Sequence, residues 1–221
     1  MAHGPIQLTP ELYAYYQSVG YREPAALAAL RSHFQHHPQL HQHTLPEAAQ
    51  CLALLVQIAE PHHILEIGTF IGYSTLAMAL VMGAQGHLTT CGTDAQLAED
   101  ARVFWDQSGR GPQITFRQGP AQVTLDQLEQ EGTPVDFIYI DANKRGYDNY
   151  YESALRLCPA GGLIVLDNTL SSGDVINPHP APYAQAIQDL NAKIHEDTRV
   201  DMVLLPLGDG LTVVRKRGLF S

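Results

Sequence analysis

Two aspartates in this chain directly follow short apolar runs, and both stand next to further polar residues. Asp141 comes after Phe-Ile-Tyr-Ile, whereas Asp167 comes after Leu-Ile-Val-Leu and precedes Asn168. Two carboxylates and one amide oxygen are hard ligands, which suit Mg²⁺, Mn²⁺ or Ca²⁺ better than zinc. Each aspartate taken alone could equally cap the helix or turn that follows it. The two together, with Asn168 attached, favour a divalent-cation site, and Mg²⁺ is the first expectation.

A glycine turn is the second feature that could do chemistry. The stretch 64–74 places an apolar run, Glu66, Gly68 and Gly72 before a Ser/Thr-rich restart, which is typical of a strand, a tight turn and a helix start. Its Gly-x-x-x-Gly spacing lacks the glycine that admits a pyrophosphate in Gly-x-Gly-x-x-Gly motifs. A ligand without phosphates therefore fits better. S-adenosylmethionine (SAM) is such a ligand, and its cationic methionine end favours a carboxylate such as Glu66.

The elements that must position these residues follow from the hydrophobic pattern. Short apolar runs alternate with amphipathic stretches, which indicates a parallel sheet with right-handed crossovers. The predicted strands are 64–67, 87–92, 113–117, 135–140 and 163–166, and the predicted helices between and before them are 44–60, 74–82, 95–107, 121–131 and 145–157. Ligands bind beyond the carboxyl ends of such strands, so Glu66, Gly68, Asp141 and Asp167 are expected to face one crevice.

Both ends of the chain depart from this alternation. After a predicted helix over 181–194, the apolar runs 200–205 and 211–214 are joined by a segment too short for a crossover helix, so the last strand must run antiparallel to its predecessor. At the other end, two helices are predicted over 9–19 and 24–35. We therefore predict one globular α/β domain with seven strands and helices on both faces, divided into a helical extension, residues 1–45, and a main part, residues 46–221.

Charge and targeting signals narrow the classes of partner. The formal net charge of −10 argues against a polyanionic partner, since binding to phosphate backbones depends on Lys and Arg. We expect a small-molecule substrate and no nucleic acid. No apolar run of membrane-spanning length and no export signal stands out, so we expect no membrane partner and a cytoplasmic location. The odd number and apolar surroundings of Cys51, Cys91 and Cys158 predict reduced, buried thiols.

Seven of the eleven histidines lie in a short region, where a metal site is one interpretation. They are His33, His36, His37, His41, His43, His62 and His63. No Asp, Glu or Cys stands among the five histidines from His33 to His43, and Pro38 and several Gln residues separate them. A solvated loop is therefore the favoured interpretation.

Several motifs together resemble one enzyme family. The pattern Asp-x-x-Lys followed by Tyr-x-x-Tyr is met by Asp141, Lys144, Tyr147 and Tyr150. A Gly-Gly-strand-Asp-Asn-Thr-Leu pattern covers 161–170, and Leu-Pro-x-Gly-Asp-Gly-Leu covers 205–211. In these matches the chain is similar to the cation-dependent, SAM-dependent O-methyltransferases of the caffeoyl-CoA and catechol type, from about residue 46 to the C-terminus.

This resemblance implies a Rossmann-like methyltransferase sheet and methyl transfer to a small, catechol-like phenolic acceptor. Asp141, Asp167 and Asn168 would hold the cation, which two vicinal hydroxyls of the acceptor would chelate. Lys144 would take the proton from the reacting hydroxyl, so Lys144 and Asp141 are the catalytic candidates. The resemblance also implies a homodimer formed through the N-terminal helices. The natural acceptor, its regiochemistry and the preferred cation stay open.

The resemblance also implies a set of SAM contacts, with some departures from the family pattern. The implied contacts are Thr44, Glu66, Gly68, Thr69, Ser74, Ala121 and Asp141. The acidic residue expected at the end of the second strand is Gly92 here, and we expect Asp94, two positions later, to serve the ribose instead. Asn143 replaces a usual Asp, and Ser171-Ser172 replaces a common aromatic residue, which predicts a more open and more polar substrate mouth.

Two other functions are weighed against this one. A nicotinamide-dependent oxidoreductase is disfavoured by the Gly-x-x-x-Gly spacing and by the lack of an evident Tyr-Lys pair at a hydride site. A degenerate SAM-binding protein without catalysis is kept open by Gly92, which cannot accept hydrogen bonds from a ribose.

Overall fold

Seven strands form a single sheet in the computed structural model, which describes residues 6–218. They are β1 (His63–Ile67), β2 (His87–Gly92), β3 (Ile114–Gln118), β4 (Phe137–Ile140), β5 (Leu163–Asp167), β6 (Val200–Leu205) and β7 (Leu211–Lys216). Their order is β3-β2-β1-β4-β5-β7-β6. The first five pair in parallel, whereas β7 runs antiparallel to both β5 and β6. The predicted Rossmann-like sheet with an antiparallel last strand is confirmed.

Helices cover both faces of the sheet. They are α1 (Pro10–Val19), α2 (Ala25–His33), α3 (Pro46–Ala59), α4 (Tyr73–Val81), α5 (Ala95–Gln107), α6 (Ala121–Glu131), α7 (Tyr147–Leu157) and α8 (Pro182–Glu196). Side chains alternate along each strand, so β4 sends Phe137 and Tyr139 into the core under α2 to α5 and sends Ile138 and Ile140 into the core under α6 to α8. Burial on both faces explains why these strands read as continuous apolar runs.

The register of the central strands brings the predicted site residues together. Ile140 of β4 pairs with Ile67 of β1 on one side and with Leu166 of β5 on the other. Asp141 therefore follows β4 at the same edge of the sheet where Asp167 ends β5. This edge is the carboxyl end of the parallel strands, where the crevice of an open α/β sheet lies.

Both glycines of the turn after β1 are required because neighbouring atoms leave no room for a Cβ. Gly68 has φ +109°, and a Cβ built there would lie 1.8 Å from the carbonyl oxygen of Asp141. Gly72 has φ +68°, and a Cβ there would lie 2.6 Å from Cζ2 of Trp105 in α5. The close neighbour that requires a glycine at this position is therefore an indole on α5. Helix α4 begins at Tyr73, one residue earlier than predicted.

The N-terminal helices differ in how they attach to the rest of the chain. Thr9 caps α1, with Oγ1 accepting from the backbone N–H of Leu12 at 3.3 Å. No residue of α1 is buried, whereas Leu27 and Leu30 of α2 belong to the main core. The division at residue 45 stays a prediction.

The histidine-rich region is partly structural. His43 packs edge-on against Tyr73, and His63 lies in β1 with Nε2 2.9 Å from Oγ1 of Thr89. The prediction of a solvated loop is wrong for these two half-buried side chains, since each fills space beside an aromatic or a strand neighbour. Across residues 6–218, no three His, Cys, Asp or Glu side chains form a group that could hold a metal ion, and no helix has both the length and the apolar character to cross a membrane.

Candidate active site

Two neighbouring cavities open at the carboxyl edge of the sheet. The first, which we call the aspartate cavity, has a volume of about 550 Å³, and its walls include Asp141, Lys144, Asp167, Asn168, Ser172 and Asp209. The second, which we call the glycine cavity, has a volume of about 570 Å³, and its walls include Gly68, Thr69, Gly92, Asp94, Gly119 and Ala121. Phe70, Ala142 and Asn143 line both cavities, so a ligand in one lies beside a ligand in the other.

Lys144 lines the aspartate cavity and makes three hydrogen bonds there. Its Nζ donates to Oδ1 of Asp141 at 2.8 Å, to Oδ1 of Asn168 at 2.5 Å and to the hydroxyl oxygen of Tyr147 at 2.7 Å. The position of Lys144 follows from a short 3-10 turn, Lys144–Gly146, that starts three residues after Asp141 and leads into α7. The ammonium group stands in for a cation here, because two of the three predicted cation ligands already enclose a positive charge.

Asp167 is the third predicted ligand and is 5% exposed. Its Oδ2 accepts from the hydroxyl of Tyr139 at 2.5 Å, and its Oδ1 accepts from the backbone N–H of Asn168 at 2.7 Å. Burial, followed by the repulsion of Asp141, raises the pKa of Asp167 to about 7. A positive charge between the two carboxylates would offset both effects, so the donor set fits a divalent cation.

A chain of hydrogen bonds connects this ligand to the start of the first core helix. The only proton of the Tyr139 hydroxyl goes to Asp167, so Oγ1 of Thr44 must donate to that hydroxyl oxygen across 3.1 Å. Burial foremost raises the pKa of Tyr139 well above its usual value, which keeps the proton on the phenol. The sequence interpretation missed Tyr139. The available signal was a tyrosine inside a buried strand, since its hydroxyl needs a partner.

The glycine cavity is shaped by backbone more than by charge. A Cβ built on Gly92 would lie 3.0 Å from Oγ1 of Thr69, so the threonine side chain fills much of the space beside the strand end. Asp94 caps α5, with Oδ1 accepting from the N–H groups of Gln96 at 3.0 Å and Leu97 at 3.1 Å. In the described chain no donor lies within hydrogen-bonding distance of its Oδ2. Asp94 therefore brings a carboxylate oxygen to this cavity where Gly92 brings none.

Glu66 lies beneath the cavities rather than on their walls. Its carboxylate is fully buried and accepts hydrogen bonds from Ser74 at 2.5 Å, from Thr90 at 2.6 Å and from Thr75. Burial is the main reason that the pKa of Glu66 is raised to about 7, against the lowering effect of the three hydroxyls. Its predicted contact with the cofactor stays a prediction. What the structure adds is that Glu66, on β1, fixes side chains on two other elements, α4 and β2.

All the other predicted site residues line a cavity. Gly68, Thr69, Asp94 and Ala121 line the glycine cavity, Thr44 lines the aspartate cavity with the cation and catalytic candidates, and Ser74 lines a small recess that Thr44, Gly68 and Asp141 share. The sequence interpretation missed Phe70, Asp209 and His41 as lining residues. The sequence contained a signal for Asp209, which lies within the Gly-Asp-Gly of the motif at 205–211. No motif marked Phe70 or His41.

Comparisons with known proteins agree with this geometry. The model of a family described as O-methyltransferase matches residues 17–217. A probable caffeoyl-CoA O-methyltransferase 2 of Dictyostelium discoideum is 39% identical over 178 residues, which cover 78% of this chain and 77% of the relative. The caffeoyl-CoA O-methyltransferase of Eucalyptus gunnii is 34% identical over 227 residues, which cover 98% of this chain and 91% of the relative.

A solved structure extends the likeness to the cofactor. The O-methyltransferase TomG of Streptomyces achromogenes, determined in complex with SAM, superposes with a TM-score of 0.85 at 26% sequence identity. The match covers 94% of this chain and 96% of TomG.

Proposed function

Because this chain belongs to the O-methyltransferase family and is a SAM-dependent O-methyltransferase, we propose that it uses a divalent cation to methylate one hydroxyl of a small, catechol-like acceptor. The acceptor and the cation would occupy the aspartate cavity, and SAM would occupy the glycine cavity. The observation that carries the proposal is the enclosure of a positive charge by Asp141, Asn168 and the hydroxyl of Tyr147, beside the buried Asp167.

The residues of the aspartate cavity divide the work between binding and proton transfer. When bound, the cation supplies a Lewis acid that lowers the pKa of a phenol, and SAM supplies a methyl group on a sulfonium centre. Asp141, Asp167 and Asn168 would hold the cation, and Tyr139 fixes the Asp167 carboxylate in one orientation. Lys144, in its neutral form, would accept the hydroxyl proton at Nζ, and Tyr147 holds that nitrogen at 2.7 Å.

The glycine cavity supports the cofactor part of the proposal. Gly68, Thr69, Ser74 and Ala121 would contact SAM through the turn after β1 and the start of α6. Thr44 would touch the same ligand from the segment before α3, and Asp141 from the end of β4. Asp94 would accept from the ribose with the oxygen that does not cap α5. Glu66 would act from below by holding Ser74 in place.

The two alternative functions, an oxidoreductase and a SAM-binding protein without catalysis, are disfavoured for different reasons. A nicotinamide-dependent oxidoreductase does not agree with membership of an O-methyltransferase family. A binder without catalysis would have no need for the charged arrangement of Lys144 between Asp141 and Asn168, which lies beside the cavity that would hold SAM. Gly92 alone therefore no longer favours that reading, since Asp94 presents a carboxylate to the same cavity.

We also propose a cytoplasmic homodimer, joined through the N-terminal helices. Apolar side chains stay exposed on α1 and α3, among them Tyr15, Val19, Leu54 and Ile58. Light scattering on the purified protein tests this assembly, and a monomeric mass at micromolar concentration contradicts it. Cell fractionation tests the location, and recovery with membranes or outside the cell contradicts it.

The cation and the acceptor can be tested in one experiment. The enzyme is freed of metal with a chelator, and transfer of radiolabelled methyl from SAM to a catechol and to the matching monophenol is measured with and without Mg²⁺, Mn²⁺ or Ca²⁺. We expect no turnover without a cation and far faster methylation of the catechol, because only vicinal oxygens can chelate the cation and also present one oxygen to the methyl group. Full activity after chelation, or equal rates for the two acceptors, contradicts the proposal.

A pair of matched variants sharpens this test. Asp167→Asn keeps the shape of the side chain but removes one ligand charge, so the Mg²⁺ concentration for half-maximal activity should rise about tenfold or more, equivalent to ~1.4 kcal/mol. Asp189→Asn on the exposed side of α8 makes the same change in net charge away from both cavities. An equal Mg²⁺ requirement for both variants would place the cation elsewhere.

A further inference from the structure

We propose, on the basis of the function above, that Asn191 of α8 is a positioning residue for the predicted cation ligand Asn168. Asn191 lines neither of the two cavities and would not touch the cation. It acts through the backbone of Thr169, the residue that directly follows the ligand. The conformation of Asn168 and the hydrogen bonds of the segment after it support this role.

The backbone of Asn168 has a conformation that most side chains avoid. Its φ is +56°, in the left-handed region, and the segment returns to this region at Ser171, with φ +49°, and at Ser172, with φ +51°. Asparagine adopts this region more readily than most residues, but such a conformation persists only where the surrounding structure enforces it. The direction of the Asn168 side chain therefore depends on what fixes the neighbouring peptide groups.

Three separate elements hold the next residue, Thr169, which is fully buried. Its backbone N–H donates to the carbonyl oxygen of Gly210, in the β6–β7 connection, at 3.0 Å. Its hydroxyl oxygen accepts from the hydroxyl of Thr212, in β7, at 3.0 Å. Its carbonyl oxygen accepts from Nδ2 of Asn191, in α8, at 2.7 Å. Each polar atom of Thr169 thus has a partner, and a shift of its backbone would also move Asn168.

Asn191 is the only donor to the Thr169 carbonyl oxygen within residues 6–218. No backbone N–H of that range reaches this oxygen, and a buried carbonyl group without a donor is unfavourable. A variant that lacks the Nδ2 donor should therefore favour a rotated peptide whose carbonyl group finds water. The N–H of the same peptide belongs to Leu170 and donates to the carbonyl oxygen of Asp209 at 2.8 Å, so the rotation would break this bond too.

A displaced Asn168 should affect the cation more than SAM. Oδ1 of Asn168 accepts from Nζ of Lys144 at 2.5 Å in the aspartate cavity, so it already faces a positive charge. Asn168 does not line the glycine cavity. Residues that orient a metal ligand without touching the metal typically change its affinity by about 10–100-fold when they are replaced. We therefore expect the loss of the Asn191 donor to weaken cation binding and to leave SAM binding near wild type.

Direct binding of Mn²⁺, followed by electron paramagnetic resonance of the free ion, tests this role without relying on turnover. The variant is Asn191→Leu, which keeps the branched shape and removes the donor. The matched control is Gln188→Leu on the same helix, because the Gln188 side chain also donates to a backbone carbonyl oxygen, that of Val175, at 3.0 Å. We expect the Mn²⁺ dissociation constant to rise by about tenfold or more, equivalent to ~1.4 kcal/mol, in Asn191→Leu only. Its activity should recover at saturating Mg²⁺.

A double-mutant cycle separates action through Asn168 from general damage. Asn168→Ala removes the ligand itself, so the addition of Asn191→Leu should change the Mn²⁺ dissociation constant little further. The SAM dissociation constant and the melting temperature show whether each variant is folded. Asn191→Ala takes the place of Asn191→Leu in the cycle if the leucine side chain does not fit.

The possible failures are distinguishable. An unchanged Mn²⁺ dissociation constant in folded Asn191→Leu, or additive effects in the cycle, would overturn the role of Asn191 and leave the proposed function intact. A parallel loss of SAM affinity or of folding in both Asn191 variants would make Asn191 a structural residue only. No binding of Mn²⁺ by the wild-type protein would overturn the cation site of the proposed function and this inference with it.

Discussion

The glycine cavity and the aspartate cavity lie side by side but are built in different ways. The glycine cavity is a set of close backbone approaches, of which the tightest is Gly68 against the carbonyl oxygen of Asp141. The aspartate cavity is a set of charged side chains brought from separate segments, among them Asp141, Asp167 and Asp209. We therefore expect the shape of the glycine cavity to select its ligand. In the aspartate cavity, we expect individual charges to select the ligand.

The two cavities are also connected. Thr44 donates to Tyr139 and Tyr139 donates to Asp167, so a residue implied in SAM contact is linked to a predicted cation ligand through two hydrogen bonds. Asp141 belongs to both, because its carbonyl oxygen limits the turn at Gly68 while its carboxylate binds Lys144. Variants that separate shape from charge can show how independent the two cavities are.

The largest effect is expected from Lys144→Ala. Loss of the group that accepts the hydroxyl proton should lower kcat by about 10²–10⁴-fold, the usual contribution of a positioned acid–base group. Binding of SAM should change little, since Lys144 does not line the glycine cavity. Single-turnover kinetics and calorimetric titration with SAM measure the two quantities. Arg145→Ala, at the exposed next position, is the control and should leave both near wild type. A weakened SAM affinity with unchanged turnover of the bound complex would contradict the assignment.

The next effect is expected from Gly68→Ala, which changes shape without changing charge. The new Cβ would overlap the backbone of Asp141, so the free energy of unfolding should fall by about 4 kcal/mol or more. The displaced backbone also carries the Asp141 carboxylate, so both cavities should be damaged. Urea denaturation measures the loss, with Gly83→Ala as a control at a glycine that has open space around it. A loss below about 1 kcal/mol, which is less than the strain expected for alanine at a positive φ, would show that the turn can relax.

These differences explain which parts the sequence could predict. Strand and helix periods, together with the short connection at 206–210, were sufficient for the seven strands and the antiparallel direction of β7, but not for the order of the strands in the sheet. The glycine turn and the two aspartates could be placed at one edge because parallel strands end together. The residues that local patterns marked therefore lie together at this edge, and their roles stay predictions.

Contacts between distant segments could not be predicted in this way. A glycine is required at position 72 because the indole of Trp105, on another helix, lies too close for a Cβ. The orientation of Asp167 depends on Tyr139, which a strand pattern marks only as buried. The lining role of Asp209 depends on how the β6–β7 connection packs against the segment after β5. Such tertiary neighbours have no periodic signal in the chain.

A smaller effect is expected from the buried carboxylate beneath the cavities. Burial raises the pKa of Glu66 from 4.5 to about 7, so the folded state binds a proton that the unfolded state has already released between those pH values. The contribution of Glu66 to stability is therefore greatest below about pH 4.5 and is lost as the pH rises through 7. At about 1.4 kcal/mol for each pH unit between the two pKa values, the loss amounts to roughly 3 kcal/mol.

Glu66→Gln isolates the pH-dependent contribution of Glu66 to the unfolding free energy, because glutamine has nearly the same shape and does not ionise. The difference in unfolding free energy between variant and wild type should move in favour of the variant between pH 4.5 and 8, measured by urea denaturation at several pH values. Because Asp167 also titrates in the wild type, the difference between the two proteins, and not either curve alone, reports on Glu66. A constant difference over this range would mean that the buried carboxylate stays ionised.

The smallest effect concerns Asp94, whose carboxylate lies on the wall of the glycine cavity. Asp94→Asn should weaken SAM binding by about tenfold, equivalent to ~1.4 kcal/mol, because the ribose hydroxyls would lose a charged acceptor. Asparagine still caps α5 through its side-chain oxygen, so helix stability should be kept and the loss should be a binding effect.

Gly92→Asp is the matched variant for this prediction. A carboxylate restored at the strand end should gain little SAM affinity, because its Cβ would press on Thr69, whose Oγ1 is 2.7 Å from Oγ1 of Thr90. Calorimetric titration of both variants with SAM decides the question. A neutral Asp94→Asn together with a Gly92→Asp that binds SAM much more tightly would show that the ribose has no charged partner in the wild type. SAM binding in the glycine cavity would then depend on shape alone, whereas ligand binding in the aspartate cavity depends on charged side chains.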